Sequence, residues 1–407
     1  MQALLLFLTV AALSLLASSP LLLRMGRAFG LAQLAASGLL FFVFGVMVGP
    51  LAMGVLDANQ IEALRPLLAV GLAVVGLLTG FNIEPSLLRG LPGRLYLAAS
   101  AQGLTSVVLV GGLLFVVMYF SGAVDSMTGA LGAAALLGAV ASVSSPHLGI
   151  LGVRSGRLDR GTGLVVTLVA MLDDLSGLLA LMVALVITVA AGSSAGDGLM
   201  LLALAGLLGL SCGLLLIFLS RALTSDEETA TLLFGTVLLV GGAAAYLRIS
   251  TLVAGLVCGA TLSLVGRHTA ARLYKVLSKV ERPVYLLLLF LAGPLFHPDS
   301  VWVWLILPIF VAVRFAAKVF GGTLAWKVGG GLVPERTGWA LISQGGMSIC
   351  LVIEYLILVR GPTAQLVFDV ALLAALVNEV LGARAFAIGF PPHPRTMAPP
   401  APEAPST

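Results

Sequence analysis

Apolar stretches of about 20 residues follow one another along nearly the whole of this sequence, with short polar breaks between them. About 20 apolar residues are what a helix needs to cross the hydrocarbon of a bilayer. Only 10% of the 407 residues are charged and 59% are hydrophobic, with a mean hydropathy of +1.12. Soluble domains carry about 25% charged residues. The fold class that follows is an all-α polytopic membrane protein. Thirteen spans can be drawn, at residues 3–23, 29–48, 64–82, 95–120, 127–151, 161–190, 198–220, 229–247, 249–266, 283–296, 301–326, 337–359 and 364–388. The first residues lack the positive n-region of a signal peptide, so they are read as the first span. Residues 391–407 are proline-rich and predict a disordered cytoplasmic tail.

Orientation follows from the loops. Seventeen Lys and Arg follow odd-numbered spans, three follow even-numbered ones, and two lie inside span 11. The positive-inside rule then puts the N-terminus outside and the C-terminus inside. The net charge of +4 resides mostly in these loops, so it implies no nucleic acid partner. Cys212, Cys258 and Cys350 all fall in apolar stretches, with neither disulfide nor zinc spacing. Some of the 48 glycines fall at small-residue spacings, such as Gly45 and Gly49, that suit close helix packing in lipid.

One span carries an expensive feature. Asp173 and Asp174 sit side by side in a segment that is otherwise uncharged from Gly163 to Thr188. An ionised Asp at a helix centre costs at least roughly 2.5–3.5 kcal/mol, so intramembrane carboxylates mark ion or proton sites by default. The bland alternative is a structural pair, neutralised by protonation or a buried cation; one carboxylate would suffice for that.

Two spans are interrupted. Span 5 contains Ser142-Val143-Ser144-Ser145-Pro146-His147, and Pro146 removes a helix donor. Span 12 contains Ser343-Gln344-Gly345-Gly346. Non-helical backbone at membrane depth is tolerated only where it is buried or lines a cavity. Simple kinks would explain either break alone. Together, spans 4–6 and 11–13 each place a broken helix in the middle of three, which is the pattern of an inverted repeat with its site at the midplane. Span 11 adds Arg314 and Lys318, four apart on one helix face. Lys318 lies nine residues from Lys327, about 14 Å along a helix. Asp173 lies at a similar depth, so a buried Lys–Asp pair is geometrically reasonable. Snorkelling toward the interface is the competing reading for both cations. Glu379, beside Asn378, could pair with Arg314 or sit near Arg384, and a structural role suits it. Glu354 and Asp369 flank Arg360 and are expected to form a solvated outer cluster.

These residues resemble the bacterial monovalent cation:proton antiporters, in particular the sodium/proton branch with paired aspartates. The resemblance spans nearly all of residues 1–390. Asp173-Asp174-Leu-Ser-Gly177 is similar to the family's most specific motif. Gly38 through Pro50, Leu77 through Pro85, Lys318 through Gly321, and Arg336 through Gly346 resemble other family segments. The resemblance implies that Asp174 binds the cation (sodium or lithium) or protons, and that Asp173 bridges to Lys318 until the cation arrives. Ser144 and Ser145 would add oxygen ligands, with Arg314, Gly345, Gly346 and Glu379 as secondary candidates. No cofactor is implied.

It also implies electrogenic exchange by alternating access in a homodimer in the bacterial inner membrane. Residues 1–90 and 225–298 would be a dimerisation scaffold, 91–192 and 299–390 a mobile core, and 193–224 a linker helix. The chain departs from many relatives at the first break, where Ser144-Ser145-Pro146-His147 carries no acid. His147 is either a pH-sensing group or a histidine satisfied by backbone carbonyls. Other readings are a potassium/proton antiporter, a sodium-coupled organic-anion symporter, or a membrane aspartyl protease. The last places its two aspartates on different helices and has no use for Lys318.

Overall fold

The computed structural model describes residues 38–56, 58–83, 90–221 and 225–391. The first predicted span, the start of the second, Glu84 and Pro85, and the proline-rich tail from residue 392 lie outside the described residues.

Every regular element among the described residues is helical. In chain order these are α1 (Leu39–Val48), α2 (Ala58–Ala63), α3 (Arg65–Phe81), α4 (Gly93–Phe120), α5 (Met127–Ser142), α6 (His147–Arg154), α7 (Arg160–Gly192) and α8 (Ala195–Ser220). Then come α9 (Asp226–Leu247), α10 (Thr251–Val265), α11 (Arg267–Ala292), α12 (Val301–Val328), α13 (Thr337–Ala340), α14 (Gly346–Val359) and α15 (Pro362–Gly389). Eight helical segments among the described residues are long and apolar enough to cross a membrane, and α10 and α14 are shorter apolar helices.

The polar breaks start the helices. Ser126 accepts from the Gly129 amide at 3.0 Å at the head of α5. Asp159 accepts from the Gly161 and Thr162 amides at 2.9 and 3.0 Å at the head of α7. Its bonds from Thr162 hold its carboxyl below the usual carboxylate range. Ser194 and Ser225 form capping boxes with Asp197 and Glu228 at α8 and α9.

The predicted tenth span, 283–296, is part of a longer helix. α11 begins at Arg267 and runs through Pro283 to Ala292, followed by a 3₁₀ turn at Gly293–Leu295. Its five basic residues mask the helix from a hydropathy count, but Ala270, Leu273 and Leu277 recur on one face and are buried, while Arg272, Lys275 and Lys279 are exposed. That is an amphipathic helix.

The helices fall into two groups that meet along α14, which touches α3, α10 and α11. In one, α5 lies against α4, α7, α14 and α15, and α12 lies against α4 and α15. In the other, α3 lies against α9, α10 and α11, and α1 packs on α11. α8 touches both groups, through α7 and α10. The α3–α10 contact is made by small residues. Gly76 and Gly80 meet the backbone of α10, and Gly255 and Gly259 meet the backbone of α3. A Cβ on Gly255 would lie 2.5 Å from the Ala73 carbonyl oxygen. Close backbone approach of this kind drives helix association in lipid. Gly255→Val is therefore expected to destabilise the protein by roughly 1–3 kcal/mol or more through overpacking. A melting curve in detergent checks it, with Gly235→Ala as the control, since nothing lies within 4 Å of a Cβ on Gly235.

The two interrupted spans cross. Helix α5 stops at Ser142, the chain is extended at Val143, and α6 resumes at His147. Helix α13 stops at Ala340, and α14 resumes at Gly346 after an extended Gly345. The two connecting segments touch, with the Ser145 amide donating to the Ser343 carbonyl at 2.9 Å. A Cβ on Gly345 would lie 3.2 Å from the Ser144 carbonyl oxygen, so a glycine suits the crossing.

Candidate functional site

Helix α7 carries Asp173 and Asp174 past this crossing. Asp173 is fully buried. Its Oδ2 accepts from Lys318 Nζ at 2.8 Å and from Ser144 Oγ at 2.9 Å. Lys318 is also fully buried, and its other donors go to Ser144 Oγ at 2.7 Å and to the Ser142 carbonyl. An ammonium has three N–H groups, so all three have acceptors here. The Leu341 carbonyl stands 3.1 Å from Ser144 Oγ as a second acceptor for its hydroxyl.

Arg314, one turn earlier on α12, is buried too. It donates to the Ile342 carbonyl at 2.5 Å and to the Val143 carbonyl at 2.8 Å. Ser142 and Val143 end the half-helix α5, and Ile342 follows α13. Helix C-termini carry partial negative charge and orphan carbonyls. The two cations of α12 thus satisfy the broken backbone of both interrupted spans. Snorkelling is ruled out for both, because neither side chain reaches the surface.

Asp174 points elsewhere. The residue is part-exposed, yet its Oδ1 is buried and has no hydrogen-bond partner. Asp173 Oδ1 is buried and unpartnered as well. The charge of Asp174 acts on Asp173 and Lys318, and on Tyr285 of α11 and Cys350 of α14. A Cβ on Gly346 would meet the Tyr285 ring at 2.9 Å, so α11 and the start of α14 close on this side. Two unsatisfied carboxylate oxygens at membrane depth are unfavourable unless a proton or a hard cation occupies them.

The remaining predicted residues separate. Ser145 does not hydrogen-bond either aspartate; its hydroxyl lies 3.4 Å from His147 Nδ1. His147 is exposed at the head of α6 rather than satisfied by carbonyls. Glu379 accepts from Ser343 Oγ at 2.6 Å, and Arg314 acts on it electrostatically. Beside it, Asn378 donates to Gln344 Oε1 at 3.0 Å.

Glu354 and Asp369 correct the sequence reading. They are not a solvated cluster, since each is only 1% exposed. Glu354 accepts from the Thr251 and Leu252 amides at 2.5 and 3.3 Å. Asp369 accepts from the His297 amide and Gln365 at 3.1 and 3.0 Å. Backbone donors at helix starts and turns take these acids out of water, and Arg360 reaches Glu62 instead, at 3.6 Å.

One neighbour was missed. Gln102 of α4 is fully buried and donates to the Lys318 carbonyl at 3.4 Å. It is the one amide side chain between Arg94 and Phe120, which is the signal that could have found it.

Residues 8–386 match the profile of a family described as "Sodium/hydrogen exchanger, transmembrane". The chain belongs to the sodium/hydrogen exchanger family. It is an antiporter family of transmembrane helices, and the chain is a multi-pass membrane transporter of this kind. Among curated proteins no sequence matches. Among solved structures, the chain is similar to the sodium proton antiporter MjNhaP1 from Methanocaldococcus jannaschii at pH 8. Identity is 14%, with 96% of this chain and 99% of that chain covered and a TM-score of 0.66. At that identity the likeness establishes the fold.

Proposed function

We propose that this exchanger swaps a monovalent cation, sodium or lithium, for protons at Asp174 by alternating access. The observation that carries the reading is the pair of unpartnered carboxylate oxygens, Asp173 Oδ1 and Asp174 Oδ1, beside a fully buried Asp173–Lys318 ion pair. Asp174 is the carboxylate that takes either the cation or protons. Asp173 is held by Lys318 and Ser144 until a cation draws it away, and Lys318 then keeps its bonds to Ser144 and the Ser142 carbonyl. A cation and protons thereby compete for the same oxygens, which couples the two fluxes.

Residues 91–192 and 299–390 form the moving core, and residues 1–90 and 225–298 form the scaffold of a homodimer in a bacterial inner membrane, with 193–224 linking them. The grouping of the helices, with α14 and α8 as the places where the two groups meet, supports this division. The loop charges support an outside N-terminus. Exchange is electrogenic in this reading, as the resemblance to the paired-aspartate branch implies.

The test is exchange by purified protein in proteoliposomes, followed with a pH-sensitive dye at controlled membrane voltage. Sodium or lithium is expected to dequench the dye with a voltage-dependent rate. A response to potassium alone would replace the cargo by potassium. No response to sodium, lithium or potassium between acid and alkaline pH would sink the antiport reading.

A further inference from the structure

Glu354 does no work in the mechanism above, yet it is one of the most costly groups in the protein: a carboxylate only 1% exposed, eight residues along α14 from the crossing. Its partners are on another helix group. Its Oε1 caps the first two amides of α10, Thr251 at 2.5 Å and Leu252 at 3.3 Å. Ser250 caps only the Val253 amide, at 3.2 Å. The first amides of a helix have no partner within the helix. The head of α10 is therefore completed by a side chain from α14. Charge-assisted bonds of this kind are roughly twice as strong as neutral ones.

Other ties between the same two groups cluster at this end. Arg360, just past α14, stands 3.6 Å from Glu62. Gln365 of α15 donates to the Leu295 carbonyl at 2.9 Å, after α11. The Arg360–Glu62 pair is more than half exposed on both sides, so it holds little by itself. Two buried acids tie the groups: Asp369 of α15 accepts from the His297 amide at 3.1 Å, and Glu354 is the one that caps a helix.

We propose that Glu354 is the latch of an outer gate: by capping α10 it holds α14 against the scaffold, which keeps the Asp174 site shut from the Arg360 end, and the contact must break each time the site turns that way. This rests on the core and scaffold division proposed above. When the latch opens, the carboxylate and two amides need water, so the seam between α10 and α14 hydrates in the outward-facing state.

Cys350 reports the opening. It lies one turn from Glu354 on α14, is fully buried, and lies within the electrostatic reach of Asp174. Full-length protein with Cys212→Ala and Cys258→Ala is placed in proteoliposomes, and a membrane-impermeant thiol reagent is added from the Arg360 side. Glu354→Gln is expected to raise the rate of Cys350 labelling by roughly tenfold or more, since a hydrogen bond to a charged group shifts an equilibrium by about that much. Glu354→Asp is expected to give a smaller rise, as is Arg360→Glu at the exposed pair. The experiment is repeated with Asp174→Asn, which separates the latch from the identity of the cargo. If Glu354→Gln labels within about twofold of its parent, Glu354 is a static cap and the proposal is overturned. Should that variant not fold, an unchanged rate in both Glu354→Asp and Arg360→Glu overturns it equally.

Discussion

Asp174→Asn abolishes exchange while the protein folds and assembles as before. The amide keeps the size and one acceptor oxygen of the carboxylate, but it cannot carry a negative charge or release a proton in the working range. A unit charge about 4 Å away at an effective dielectric of about 20 interacts by about 4 kcal/mol, roughly a thousandfold in cation affinity. Asp173 does not replace that charge, because its own charge is offset by Lys318, 2.8 Å away. The measurement is the dye assay with a sodium or lithium gradient, together with binding of the cation to detergent-solubilised protein. Both signals vanish, and the melting temperature does not fall, since Oδ1 of Asp174 has no hydrogen bond to lose. Exchange at the unsubstituted rate would move the cation site away from Asp174.

The second large effect is on stability. Lys318→Ala is expected to destabilise the protein by about 3–5 kcal/mol, because removing one partner of a buried pair leaves an uncompensated charge. Asp173 would retain only the Ser144 hydroxyl, and the Ser142 carbonyl would lose its cation. Adding Asp173→Asn to Lys318→Ala is expected to recover much of the loss, since the stranded charge is then gone. Thermal melting of the single and double variants gives the coupling directly. Additive losses would show that the two side chains do not stabilise one another.

The membrane class and the two helix breaks were legible because each rests on local chemistry. Twenty apolar residues with few charges have one solvent in which to fold, and Pro146 and the Gly345-Gly346 pair interrupt a helix whatever surrounds it. The start of α11 was not legible to a hydropathy count. Its basic residues lowered the average while Leu273 and Leu277 still formed a buried stripe. Glu354 and Asp369 were read wrongly for a different reason. Their nearest charge in sequence is Arg360, but their partners, Thr251 and His297, are 103 and 72 residues away. Backbone amides as partners leave no residue signature.

Counting along a helix is enough to put two carboxylates and two cations at matching depth inside lipid. Which of these groups pair depends on how the helices pack. Lys318 takes Asp173 and leaves Asp174 unsatisfied. Arg314 spends its donors on the carbonyls of Val143 and Ile342 rather than on an acid. That choice depends on which way each helix is rotated, and rotation is set by packing against neighbours, such as Gly103 of α4, where a Cβ would lie 2.6 Å from Ser176 Oγ and 3.4 Å from Asp173 Oδ1. One residue further round α7 is about 100° of turn, enough to send adjacent aspartates to different fates.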